Sequence, residues 1–228
     1  MSRKLFVTGT GTDIGKTHIA GLILKRLLES GASCGYYKLA MSGNERDAKG
    51  ALIPGDALKV LTMARSSQNL DSACRFVYEN AYSPHLAARV EGRLFDLNAA
   101  LEGLRDVEKE FDYLIIEGAG GIICPLYSEG GKRWLQVDVV QELGLPSLLV
   151  ADSGLGTING VTLTAEALRA RGLALKGIVL NRWQGGLLQE DNAAECEALA
   201  EAPIVARVPE GAVQIDADSA TLLSLFEE

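Results

Sequence analysis

The densest chemistry in the chain lies near its start, in Gly9-Thr10-Gly11-Thr12-Asp13-Ile14-Gly15-Lys16-Thr17. A glycine-rich turn between an apolar run and a helical pattern, ending Gly-Lys-Thr, reads as a phosphate-binding loop of the G-x-x-x-x-G-K-[ST] type. Its glycines let backbone N–H groups face phosphate oxygens, and the N-terminus of the following helix adds to the attraction. Lys16 is placed for the β- and γ-phosphates, and the Thr17 hydroxyl for Mg²⁺. Asp13, Ile14, Gly15 and His18 complete the stretch expected to face a nucleotide. A second acid, Glu117, ends the apolar run Tyr113-Leu114-Ile115-Ile116, where this kind of site holds its second magnesium-facing group. Gly118-Ala119-Gly120-Gly121 then allows close approach of the backbone to a ligand. Asn181-Arg182-Trp183-Gln184 stands where GTP-binding proteins carry Asn-Lys-x-Asp. Gln184 replaces the guanine-reading acid, so adenine is favoured, with Asn181 as donor and acceptor for its edge. An Asn at a strand end is equally a turn former.

These groups need a scaffold that brings them to one edge. Short apolar runs recur at Leu5–Thr8, Cys34–Lys38, Tyr113–Ile116, Ser147–Ala151, Gly177–Leu180 and Ile204–Val208. Several are apolar at nearly every position, as for strands covered on both faces. Helical patterns lie between them: Ile19 to Leu28 with Gly31 as a stop, Leu97 to Phe111, and Val161 to Leu168 ending near Gly172. The alternation predicts one α/β domain over residues 1–228, with a mainly parallel sheet and helices on both faces. Ligands of such sheets bind beyond the carboxyl ends of the strands. There lie the phosphate loop, Lys38–Gly43, Glu117–Gly121, Asp152–Asn159, Asn181–Arg182 and the segment Val208, Pro209 and Glu210.

Composition sets the exclusions. With 22 Lys plus Arg against 30 Asp plus Glu, the net charge of −8 argues against a general nucleic-acid binder. Cys34, Cys74, Cys124 and Cys196 are scattered, which fits a reduced cytoplasmic protein and no disulfide framework. Two histidines leave little for a multi-His metal site or a Ser-His-Asp triad. No stretch reads as a signal peptide or a membrane span.

The chain resembles the dethiobiotin synthase family nearly throughout. The resemblance rests on Phe6-Val7-Thr8-Gly9-Thr10, Thr12, Gly15-Lys16-Thr17, Gly35-Tyr36-Tyr37-Lys38, Ser42-Gly43 and Gly55-Asp56-Ala57-Leu58. Ser83-Pro84-His85, Glu117-Gly118-Ala119-Gly120-Gly121, Pro125-Leu126 and Gly154-Leu155-Gly156-Thr157-Ile158-Asn159 extend it. It implies a P-loop NTPase-like fold and a ligase that closes a cyclic urea from 7,8-diaminopelargonate, CO₂ (or bicarbonate) and ATP. The implied intermediates are a carbamate and a carbamic–phosphoric anhydride. Lys16, Lys38 and Thr12 are then the expected catalytic residues, and Ser42, Gly156 and Asn159 the expected substrate contacts. Thr17, Asp56 and Glu117 are the implied Mg²⁺ ligands, with Asp56, Gly118, Ala119 and Gly120 also at the nucleotide. Asp56 is equally suited to N-cap a helix over Ala57–Ala64. In the family the Gly154–Asn159 region faces the neighbouring subunit's site, which implies a homodimer. Lys16→Ala or Lys38→Ala is expected to cripple turnover and leave the fold intact. Two positions depart from the family: Leu39 stands where a proline is usual, and Arg182 where a smaller polar or acidic residue is. A dimeric partitioning-type ATPase switch is the rival, but it carries an extra early loop lysine absent from Gly9-Thr10-Gly11-Thr12.

Overall fold

Strands that are apolar at every position must be covered on both faces, and the computed structural model, which describes residues 2–227, covers them so. The strands β1 (Arg3–Gly9), β2 (Cys34–Lys38), β3 (Tyr113–Glu117), β6 (Ser147–Asp152), β7 (Leu175–Asn181) and β8 (Ile204–Val208) form one parallel sheet. Its order is β2-β3-β1-β6-β7-β8, with β1 central. All six apolar runs of the sequence are therefore strands, extended by one to three residues at their ends in four cases.

The helices α1 (Lys16–Glu29), α2 (Gly55–Ala64) and α8 (Ser219–Ser224) share a core with one face of the sheet, built on Ile19, Leu22, Ile23, Val60 and Leu222. On the opposite face, α3 (Pro84–Val90), α4 (Leu97–Glu108) and α5 (Gln136–Glu142) enclose Phe6, Leu114, Ile116, Leu104 and Val140. A third cluster joins α6 (Thr157–Arg169) and α7 (Leu187–Ala200) to β6 and β7. Each fully buried Leu, Ile or Phe contributes about 1.5–3 kcal/mol, so these clusters hold the strand ends in fixed register.

That register is what the chemistry uses. Lys38 is paired with Glu117, and Asp152 with Asn181, which in turn pairs with Val208. Polar strand ends thus stand side by side along one edge of the sheet. Outside the sheet, β4 (Pro125–Glu129) and β5 (Lys132–Leu135) form a small antiparallel hairpin. One local expectation is corrected. Asp56 does not cap α2: Pro54 holds the cap position without a side-chain bond, and the Asp56 carboxylate turns to Lys38 instead. Asn159 lies inside the first turn of α6, which begins at Thr157.

Candidate active site

The phosphate loop is one residue longer than the pattern that suggested it. Five residues separate Gly9 from Gly15, and Thr10 stands where the pattern has its first glycine. Gly9 remains in β1, where a Cβ would lie 2.4 Å from the Ile14 side chain. Gly15 caps α1 with φ +94, and a Cβ there would lie 2.1 Å from Asn181 Nδ2. Only glycine meets both demands. The Lys16 ammonium folds back onto the loop and donates to the Gly11 carbonyl at 2.7 Å. Burial, reinforced by the Lys38 charge, pulls its pKa down to about 8.

Beside the loop is a compact ionic cluster. Lys38 Nζ donates to Glu117 Oε1 at 2.5 Å and to Asp56 Oδ2 at 2.6 Å. Glu117, fully buried, also accepts from Thr17 Oγ1 at 2.9 Å and from the Tyr36 hydroxyl at 2.8 Å. Burial alone would lower the Lys38 pKa, but the two carboxylates outweigh it and hold the ammonium charged, above its ordinary value. The Asp56 carboxyl is likewise held below the usual range, because Lys38 overcomes the effect of burial. Asp56 and Glu117 therefore bring two carboxylates to one cation, with the Thr17 hydroxyl bonded to Glu117 beside them. Hard oxygen donors of this kind suit Mg²⁺ shared with phosphates.

A cavity of about 550 Å³ opens onto this cluster. It brings together Thr12, Asp13, Gly15, Lys16, Thr17, His18, Lys38, Ser42, Asp56, Glu117, Ala119, Gly120 and Arg182 of the expected residues. Others lie elsewhere. Ile14 offers its carbonyl to Asn181 Nδ2 at 2.9 Å, so the Asn181 amide is committed to the loop. Gly118 packs against the Gln136 side chain, which accepts from Ala119 N at 2.6 Å and shapes the glycine turn from behind. Val208 is buried, with its carbonyl taken by Trp183 N, while Pro209 and Glu210 are exposed. Gly156 and Asn159 are exposed and stand outside the cavity. His18 is held below the ordinary imidazole value, chiefly by burial.

Sequence reasoning missed Tyr36 and Gln136, which act through other residues, and Lys59 and Met63, which line the cavity from α2. The spacing of Asp56, Lys59 and Met63 on one helical face was the available signal for the latter pair. Leu39 has its explanation in the loop after β2. Leu39, Ala40 and Met41 are buried, and Met41 exchanges backbone bonds with Phe76 and Tyr78 at 2.8 Å each. Pairing supplies the stiffness that a proline would give.

Comparisons with known proteins give the family and the fold. A family model described as an AAA domain matches residues 3–215. An ATP-dependent dethiobiotin synthetase of Brachyspira hyodysenteriae is 37% identical over 228 residues, covering 100% of both chains. Another from Clostridium perfringens is 39% identical over 211 residues, 92% of this chain and 91% of that one. The chain belongs to the dethiobiotin synthetase family. Among solved structures, the Aquifex aeolicus MinC:MinD cell division complex aligns with TM-score 0.56 at 10% identity, over 92% of this chain and 82% of that one. A ParA family ATPase from Chlorobium tepidum aligns with TM-score 0.52 at 14% identity, over 98% and 89%. At such identity these two show the shared P-loop fold alone. Dethiobiotin synthetases, by contrast, match in sequence over 80–100% of the chain, which disfavours the partitioning-type switch. No described helix is long and apolar enough to cross a membrane.

Proposed function

We propose that the chain closes the cyclic urea of dethiobiotin from 7,8-diaminopelargonate, CO₂ and ATP. The observation that carries the reading is the meeting of Lys16, Lys38, Thr12 and Ser42 in one cavity with the Thr17–Asp56–Glu117 cluster, in a chain of this family. An amine lone pair adds to CO₂ and loses a proton, giving a carbamate. A carbamate oxygen attacks the γ-phosphorus, and the bond to ADP breaks. The second amine attacks the carbamoyl carbon, its proton is lost, and phosphate departs with the C–O electron pair.

This chain's groups serve the approach of two anions. Lys16 leaves the Gly11 carbonyl for the β- and γ-phosphates. An ammonium has three donors; Asp56 and Glu117 take two from Lys38, leaving one for the carbamate. Because the same carboxylates keep Lys38 protonated, its charge is present throughout. Thr12 and Ser42 hydrogen-bond the carbamate or the diamine. Thr17, Asp56 and Glu117 would hold Mg²⁺, which when bound neutralises phosphate charge. No enzyme nucleophile is required, and catalysis rests on positioning and electrostatics.

A homodimer is part of the proposal. Leu155 and Leu187 are each 90% exposed, and Gly156 and Asn159 are exposed and do not line the cavity of their own chain. Those features suit a segment that contributes to a partner's substrate site. The partners are small molecules and a second copy, in a cytoplasmic setting, with no role for nucleic acid or membrane. The test is a product assay with Mg-ATP, bicarbonate and diaminopelargonate, read by mass spectrometry. One urea product per phosphate, dependent on all three substrates and abolished by chelation of Mg²⁺, is expected. Phosphate release without diamine, raised by a protein or DNA partner, would overturn the reading.

A further inference from the structure

Four non-glycine residues have left-handed backbone among the described residues. Arg65 and Glu201 occupy the C-caps of α2 and α7, where that conformation closes a last turn. The other two, Asp13 (φ +58) and Arg182 (φ +57), belong to different elements and are bonded to each other. Arg182 Nη2 donates to the Asp13 carbonyl at 2.5 Å, and Nη1 donates to Asp152 Oδ2 at 2.7 Å. The Arg182 carbonyl accepts from Ser153 Oγ at 3.0 Å, and Asp152 Oδ1 accepts from Gly154 N at 2.8 Å. An uncommon backbone conformation at Arg182 is thus held on both sides, and the side chain reaches the phosphate loop at Asp13.

The consequence follows from peptide planarity. In a trans peptide the C=O and the next N–H point in opposite directions. Arg182 fixes the Asp13 carbonyl, and Asn181 Nδ2 fixes the Ile14 carbonyl at 2.9 Å. The N–H groups of Ile14 and Gly15 are therefore turned the other way, as donors of an anion-binding nest. We propose that Arg182, aimed by Asp152, is a positioning residue that orients the phosphate loop for the nucleotide. Arg182 suits this task better than lysine would, because its planar fork reaches a carboxylate and a carbonyl at once. The proposal gives a role to Asp152 and to the departure from the family at position 182, and it rests on reading the cavity as the nucleotide site.

The test measures Mg-ATP affinity by titration calorimetry, with KM and kcat in the coupled assay, for Arg182→Ala, Arg182→Lys, Asp152→Asn and the double variant Asp152→Asn/Arg182→Ala. Lys16→Ala is the control for the site itself. Arg182→Ala is expected to weaken ATP about tenfold, the size of one charge-assisted hydrogen bond. Its kcat is expected to stay within about threefold and the diamine KM to be unchanged, as for a residue that supports binding alone. Arg182→Lys should resemble Arg182→Ala, and the double variant should be no weaker than Arg182→Ala, because both changes cut one connection. Unchanged ATP affinity in Arg182→Ala, with binding lost in Lys16→Ala, overturns the proposal and spares the nucleotide site. Losses that multiply in the double variant, or a fall in kcat without a change in ATP affinity, also overturn it. ATP binding unaffected by Lys16→Ala would instead overturn the reading of the cavity. Should Arg182→Ala fail to fold, Asp152→Asn, which keeps its shape, carries the same expectation of a raised ATP KM.

Discussion

Removing Lys38 is expected to damage the fold as well as the reaction. The Lys38 side chain is 6% exposed and that of Glu117 is 0% exposed, with 2.5 Å between their charged atoms. Lys38→Met replaces the ammonium with a side chain of similar length and leaves Glu117 buried beside only the Thr17 and Tyr36 hydroxyls. Breaking a buried pair from one side costs about 3–5 kcal/mol, because the remaining charge loses the countercharge bonded to it and gains no full hydration in exchange. Native stability is itself only about 5–15 kcal/mol, so the variant should denature more than about 1 M earlier in urea. Glu117→Gln in the same chain removes the stranded charge and keeps hydrogen-bonding capacity. The double variant is expected to recover most of the loss, a coupling of about 3 kcal/mol between the two sites, yet to stay inactive. Urea unfolding followed by tryptophan fluorescence reads both effects. A Lys38→Met protein as stable as the parent, or one that Glu117→Gln does not rescue, would refute the reasoning. The expectation of an intact fold after Lys38→Ala, drawn from the sequence, is replaced by this one.

Gly15→Ala meets a left-handed φ and the Asn181 amide together, and is expected to abolish ATP binding in calorimetry. Asn44 is buried and bonds the Tyr78 carbonyl at 2.8 Å and Gly55 N at 2.9 Å, next to Asp56. Asn44→Ala should cost about 1–3 kcal/mol of stability in thermal unfolding, through the unpaired groups it leaves. With the Lys16 pKa at about 8, the free protein loses that charge as pH rises through this value. ATP affinity should then fall toward tenfold per pH unit above it, with uptake of about half a proton on binding near the midpoint. Calorimetry in buffers of different ionisation enthalpy checks this, and Lys16→Gln should flatten the profile. Leu155→Lys with Leu187→Lys should shift the protein toward monomer in sedimentation, since both side chains are 90% exposed in the single chain.

The parallel strands were legible because burial on both faces leaves no polar position to blur them. Leu5 to Val7 and Leu148 to Ala151 are 0% exposed without a break. The hairpin β4–β5 was not legible: Lys132, Arg133 and Trp134 are exposed, and no alternation distinguishes them from a loop. Helix α7 was missed for a related reason, since its buried side includes Asn192, which donates to the carbonyls of Ser153 and Gly154. In the site, the residues at strand ends were found because topology alone brings them together. Tyr36, Gln68 and Gln136 were not, because each acts by a hydrogen bond across 15 or more residues, such as Tyr36 N to Gln68 Oε1 at 2.8 Å. Asp56 was read both as a cap and as a ligand; the long-range pull of Lys38 decides against the cap.

The bond from Lys16 to the Gly11 carbonyl bears on how the loop receives its guest. An ammonium waiting in open water would have to give up its hydration shell on contact with a phosphate. Here most of that shell is already gone, and a backbone oxygen serves as temporary host. Arrival of the triphosphate is then an exchange of one acceptor for another within a loop that is already shaped. Little ordering is left for the encounter itself, so more of the contact energy remains as affinity.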